Sequence, residues 1–428
     1  FGFANFLLLA LFAAAVFDLI FALARGGGLR GALHGLWNTP HLLFGQQLAE
    51  WRLQLGRILF AAGLAAYEIS VVFCNSMARQ NWAWVQGVMS PVLEWLAFLC
   101  FGAKILFGTR YTWRELLAGG ALYFIARWVY FNSQNIWWIG IVVAVLAAKD
   151  VPLRRPLQVY FASGCAAMAV VLALHFAGIV APDLTSERMG ALRGTYGYGH
   201  PNTFGGLVFG LVLAYALLRA QKVRWVDCLL VFAVGVFLLV GPASRSAALC
   251  ALALAVGLVF CRLRAGHSVP RWWPGTCAGM VGLTAAVSYL LPLLVIKVGP
   301  WNNDIGPAWL AKLDSLLTCR ISLTWMAYRL LDVKIAGQVF NWPTVDNSFA
   351  FALFQFGPVV AALLGILFAA ALLGHAKQGR RVEVCCLFAM LAYAYMEVQP
   401  FHLTTNPTAL LLCGAVFAQT SARWQKIE

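Results

Sequence analysis

Apolar runs approaching the roughly 20 residues that a membrane-spanning helix needs recur along almost the whole chain, and nothing else limits the fold as strongly. In lipid every backbone N–H and C=O has to be satisfied within the protein, and runs of this length select helices over a closed barrel. Of the 428 residues 62% are hydrophobic and 11% are charged, a balance foreign to soluble domains. The sequence therefore predicts an all-α polytopic membrane protein, with residues 1–428 forming a single transmembrane bundle. Apolar spans are read at 3–24, 58–74, 88–107, 116–132, 135–148, 158–180, 203–219, 226–242, 246–261, 276–296, 346–374, 382–398 and 405–419. With 135–148 tilted or partly re-entrant, the expected number is about 12–14. Thirteen spans place the N-terminus outside, although residues 1–24 show no charged n-region or cleavage site of a signal peptide.

The net charge of +15 raises the question of nucleic acid, which the positions of the 31 Lys and Arg residues answer. Roughly two-thirds fall in alternate connections, among them Arg25, Arg52, Lys104, Arg110, Lys149, Arg154, Lys222, Arg262, Arg380, Arg381, Arg423 and Lys426. The excess is a positive-inside signal that sets topology, so no nucleic-acid partner is expected. Ten of the 11 cysteines lie in apolar runs or at their ends, and only Cys319 sits well inside an outside connection. They read as small hydrophobes without a disulfide framework or metal pair. Asp18, Glu68 and Glu94 stand inside apolar runs, where a carboxylate marks either function or a paired or protonated helix contact. Residues 31–56, neither a clean span nor strongly polar, suggest an amphipathic segment along the membrane surface.

Two connections on the outside are longer than a hairpin needs, residues 181–202 and 297–345. Within the second, Leu310, Leu313, Leu317, Ile321, Trp325, Tyr328 and Leu331 recur at helical spacing and predict an amphipathic helix over 308–331, lying as a lid on the bundle. Lys312, Arg320, Arg329 and Lys334 then stand on the outside against the charge rule. The first connection runs into a glycine-punctuated strip, 193–206, carrying Arg193, His200 and Asn202 just before a span whose helix N-terminus would present free N–H groups to an anion. Gly241-Pro-Ala-Ser-Arg-Ser246 turns two spans around and pins Arg245 at the headgroup level, as a snorkelling side chain or an anion ligand. Asp346 and Asn347 open a long span as helix caps or as reactive groups. Arg127, near the outer end of its span, snorkels outward or lines a site for an anionic head group, and Glu397, at an outer end, is a candidate for a sugar-binding wall.

Arginines at the outer leaflet suit a phosphate-bearing lipid, since the planar fork grips phosphate oxygens bidentately and never loses its charge. Two or three around a pyrophosphate stabilise it as a leaving group, while a carboxylate or imidazole beside them accepts a proton from an attacking hydroxyl. No metal-ligand spacing is visible, and no metal or other cofactor is expected. The order Arg-Gly to Gly-His-Pro-Asn at 193–202, Ala-Ser-Arg-Ser at 243–246, Arg-Ile-Ser-Leu-Thr-Trp at 320–325 and Asp-Asn-Ser-Phe before Phe-Gly-Pro-Val at 346–359 resembles the Wzy-type O-antigen and capsule polymerase family, which shares a superfamily with the O-antigen ligases. The resemblance spans about residues 185–375 and implies a GT-C-like membrane glycosyltransferase acting on undecaprenyl-pyrophosphate-linked glycans at the outer face of the cytoplasmic membrane. It implies Arg193, Arg245 and Arg320 as pyrophosphate ligands and places Asp346 at the family's catalytic position. The residues themselves add His200 as the other candidate base and Asn202, Asn347, Arg127 and Glu397 as further substrate-binding candidates. Ligases present His-Asn where this chain has Asp346-Asn347, which favours a polymerase over a ligase; a lipid-linked-sugar flippase or other transporter is the reading from another class. Membrane lipid and a chain-length regulator protein complete the expected partners.

Overall fold

A computed structural model describes residues 2–24, 28–44, 49–180, 186–188, 191–296 and 306–417. Arg25, Arg423, Lys426 and parts of the two long connections, at 181–185, 189–190 and 297–305, lie outside the described residues.

In chain order, α1 (Gly2–Ala24) is followed by the amphipathic α2 (Gly28–Asn38) and a strand, β1 (His41–Leu42), before α3 (Ala49–Cys74). The short α4 (Ala78–Asn81) leads to α5 (Ser90–Phe107), then β2 (Arg110–Tyr111), α6 (Trp113–Ser133), α7 (Ile136–Ala147) and α8 (Arg154–Phe176). β1 and β2 pair antiparallel, as do β3 (Ser186–Arg188) and β4 (Ala191–Arg193). Then come α9 (Pro201–Leu218), α10 (Trp225–Val240), α11 (Arg245–Leu263), α12 (Trp273–Leu290), α13 (Ala308–Leu316), α14 (Arg320–Leu330), α15 (Ser348–Phe351), α16 (Pro358–Lys377), α17 (Arg381–Met396) and α18 (Cys413–Val416). α3 packs on α5 and α8, α10 on α11, and α12 on α16. The central helix α9, buried around most of its circumference, touches α8, α11 and α17.

Among the described residues eight helical segments are long and apolar enough to cross a membrane: Phe6–Ala24, Glu50–Cys74, Val85–Phe107, Arg154–Phe176, Pro201–Leu218, Arg245–Leu263, Trp273–Leu294 and Pro358–Lys377. This is a multi-pass helical membrane protein. The other predicted spans are shorter or more polar: α7, α10 and 407–416 are short apolar helices, α6 carries Arg114, Glu115 and Arg127, and α17 has 16 residues.

Two predicted helices are broken. The lid is not continuous over 308–331, because Thr318 (φ 60°) and Cys319 (φ 63°) take left-handed conformations between α13 and α14. Asp314 reaches across the break, its Oδ1 accepting from the Ile321 N–H at 2.8 Å and the Ser322 N–H at 3.1 Å, so the donors exposed where α14 begins are satisfied. The predicted apolar face still holds, with Leu310 and Ile321 packed against Val295, and Tyr328 and Leu331 against Val345 and Phe354. The span predicted over 346–374 opens after α15 into a π-helical turn, Ala352–Phe356, ends at Gly357 (φ 87°) and restarts at Pro358, whose missing N–H is harmless in a first helical turn. Gly357 meets Gly337 (φ 74°) back to back, and a Cβ on either would overlap a backbone carbonyl, Ile335 O or Gln355 O.

The intramembrane carboxylates separate. Asp18 accepts from the Phe44 N–H at 3.1 Å and lies 3.4 Å from His41 Nε2, tethering the β1 segment to α1. Glu68 is buried against α8 at Gly164, and Glu94 is half-buried. None of the eleven cysteines forms a disulfide, and Cys319 is exposed.

Candidate functional site

The strip 193–206 is held from both sides. It leaves β4 at Arg193, turns through Tyr196 (φ 52°) and Gly197 (φ 81°), and is fastened to the start of α4 by a hydrogen bond from the Met77 N–H to Gly197 O at 2.8 Å. His200 caps α9, its exposed ring accepting through Nδ1 from the Asn202 N–H at 3.1 Å. Asn202 faces inward, its Oδ1 accepting from Arg193 Nη2 at 2.8 Å and its Nδ2 donating to Glu397 Oε1 at 3.1 Å. Gly205 and Gly206 make this approach possible, since a Cβ there would overlap Ser244 Oγ and Gln399 Oε1.

Arg193 staples the turn between α10 and α11, donating through Nε to Pro242 O at 3.3 Å and through Nη2 to Ala243 O at 3.2 Å. Ala243 takes a positive φ of 49°, and the next residues diverge. Arg245 is exposed at the first position of α11, whereas Ser246 points inward and donates to Glu397 Oε1 at 2.8 Å.

Glu397 follows α17 and is 4% exposed. Beside Asn202 and Ser246, its Oε1 accepts from Arg320 Nη2 at 2.6 Å, and its backbone carbonyl accepts from Ser348 Oγ at 2.5 Å. Arg320 is itself enclosed: its Nε donates to Met396 O and its Nη1 to Leu317 O at 2.8 Å. A buried guanidinium–carboxylate pair with this many partners is held in one geometry. Asp346 is half-exposed and close enough to act electrostatically on Glu397.

Five separate segments thus converge, and they include most of the residues singled out in the sequence. Their duties differ from the expectation. Arg320 is the counter-ion of Glu397, with every guanidinium nitrogen already bonded to protein, so it is no open pyrophosphate ligand in this conformation. Glu397 is an internal acceptor instead of an exposed glycan-binding wall. Asn347 spends both ends of its amide on structure, accepting from the Phe349 and Ala350 N–H groups and donating to Ser288 Oγ at 3.1 Å. Arg127 lies with its guanidinium 4.4 Å from the Phe131 ring centre on its own helix. The rim presents Arg245, His200 and Asp346.

Sequence reasoning passed over Asp314. Gln399, which the sequence places close behind Glu397, links Asn202 O (3.1 Å) to the Tyr393 hydroxyl (2.8 Å). His402, next to Gln399, packs on Trp137 with ring centres 3.8 Å apart, and burial pushes its imidazole down to about 3, so it stays neutral. Beside Ser348 begins an apolar cavity of about 90 Å³, lined by Trp138, Tyr289, Phe349, Phe368, Met390 and Phe401 among others.

The chain matches no protein-family model, no curated protein and no solved structure. An exposed guanidinium fork binds phosphate oxygens, a half-exposed carboxylate accepts a proton, and a rigid buried network beneath them holds both in place.

Proposed function

We propose that this chain is a polymerase that joins undecaprenyl-pyrophosphate-linked oligosaccharide repeat units into O-antigen or capsular polysaccharide at the outer face of the cytoplasmic membrane. The observation that carries the reading is the convergence of Arg193, Asn202, Ser246, Arg320 and Glu397 from distant segments beneath a rim of Arg245, His200 and Asp346. Arg245 grips the pyrophosphate, and Arg193 positions Arg245 by fixing the turn that carries it. A hydroxyl of the incoming repeat unit attacks the anomeric carbon of the glycan donor. The carbon–oxygen bond to the pyrophosphate breaks with its electron pair, and the hydroxyl proton passes to Asp346, or to His200 if its cap to Asn202 opens. α13 and α14 shield the reaction from water.

Purified protein supplied with lipid-linked repeat units alone should make a ladder of products. A ligase gives none without a second acceptor, and a flippase moves the substrate across the bilayer without forming a glycosidic bond. Arg245→Lys keeps the charge and loses the fork, so long polymer should vanish and single repeat units accumulate on lipid; near-normal chain length in that variant sinks the role of Arg245.

A further inference from the structure

The helices that reach the site, α9, α11 and α17, meet again at their far ends. There the connections after α9, after α11 and before α17 enclose a polar cavity of about 410 Å³ whose wall includes Lys222, Arg262, Arg380, Arg381 and Glu383. The three helices have 18, 19 and 16 residues, which sets the cavity ~24–28 Å from the Arg320–Glu397 pair, close to the thickness of a hydrocarbon core. Four cations face one carboxylate. Arg381 is committed, donating to the backbone carbonyls of Arg264 and His267 and so closing the turn after α11. Lys222, Arg262 and Arg380 enter no ion pair among the described residues, whereas neighbouring Arg219 is paired with Asp227 at 3.1 Å.

Trp225 at the start of α10 and Trp272 just before α12 are 50% and 64% exposed beside these connections, where an amphipathic indole marks the membrane–water interface. Cations gathered around a concave polar space at that level need a counter-ion, and guanidinium forks select phosphate. We propose that this cavity is an anion site that binds the phosphate of an anionic phospholipid headgroup, on the face opposite the Arg193–Glu397 network. The proposal does not rest on the transferase reading.

The full chain, exchanged into phosphatidylcholine with phosphatidylglycerol titrated in, is read by native mass spectrometry for retained lipid. Wild type should retain phosphatidylglycerol over phosphatidylcholine, and Lys222→Gln/Arg262→Gln/Arg380→Gln should lower that preference at least roughly tenfold, as expected for removing charges at a lipid surface. Should the half-buried Arg380 be needed for folding, the exposed pair Lys222→Gln/Arg262→Gln decides, with a smaller loss of the same sign and an unchanged elution profile. Inorganic phosphate added as competitor separates the sources: displacement at millimolar concentration assigns the site to a free phosphate anion, and no displacement assigns it to the headgroup. Equal retention of both lipids by wild type without phosphate binding overturns the proposal, as does an undiminished preference in the folded pair variant.

Discussion

Two clusters of buried charge occupy opposite ends of the bundle, and they are built for different ends. At one, Lys104 and Lys149 are both 0% exposed. Lys104 Nζ donates to Thr109 Oγ1 at 2.7 Å and to Lys149 O, while Lys149 Nζ donates to Arg110 O at 2.6 Å and lies 3.3 Å from Glu115. Each ammonium stitches a connection to its neighbour. At the other end Arg320, Glu397, Asn202 and Ser246 form an equally closed core, but one that carries a rim with Arg245 and His200 exposed and Asp346 half-exposed. A set of ammonium-to-carbonyl bonds joins loops and ends there, whereas the guanidinium–carboxylate core lies one or two residues from the rim groups and, on the proposed function, serves as their platform. Removing a member of either should cost stability, and only the second should also cost chemistry.

The largest effect is expected from Glu397→Ala, which leaves Arg320 buried without its counter-ion at a cost of ~3–5 kcal/mol, read as a fall in thermal stability together with loss of polymer. Arg320→Met/Glu397→Leu should recover much of that stability and none of the activity; recovered activity would show the platform to be mere scaffolding. Lys149→Met comes next, at about 3 kcal/mol, because Glu115 loses its cation. With Glu115→Gln added, stability should partly return and activity per folded molecule should equal wild type; a defect there would erase the contrast between the two ends. Arg245→Lys should change stability by no more than ~0.5 kcal/mol, since the residue is exposed, while abolishing long polymer. Smallest in its combined effect is Asp314→Ala, which should spare polymer formation and cost about 1 kcal/mol from lost N–H acceptance at α14, measured as a modest shift in denaturation midpoint.

Helices were legible because lipid leaves the backbone so few choices, and each of the thirteen apolar runs contains helical structure, while α2, α4, α13 and α14 form outside them. The break within 346–374 had a written signal, Gly357-Pro358, which the continuous hydropathy overrode. The lid break had none: Thr318 and Cys319 are not residues that announce a left-handed turn, and Asp314 compensates them only through a three-dimensional reach. The site was legible as a collection of polar residues at one set of span ends. Its pairing was not, since Arg320 and Glu397 are 77 positions apart and only packing decides whether an arginine meets a ligand or a carboxylate.

The back-to-back crossing of Gly337 and Gly357 has a mechanical consequence. It welds the connection that follows α14 to the kink of the broken span, and the Gln338 N–H donates to Gln355 O at the same point, at 3.2 Å. Gln355 in turn reaches Ser133 O on α6 at 2.8 Å, so the kink is anchored to the N-terminal half of the bundle. The lid therefore has a fixed pivot: swinging α14 outward would draw Arg320 away from Glu397 while Ser348 stays put, and opening the cover would itself disassemble the platform beneath it.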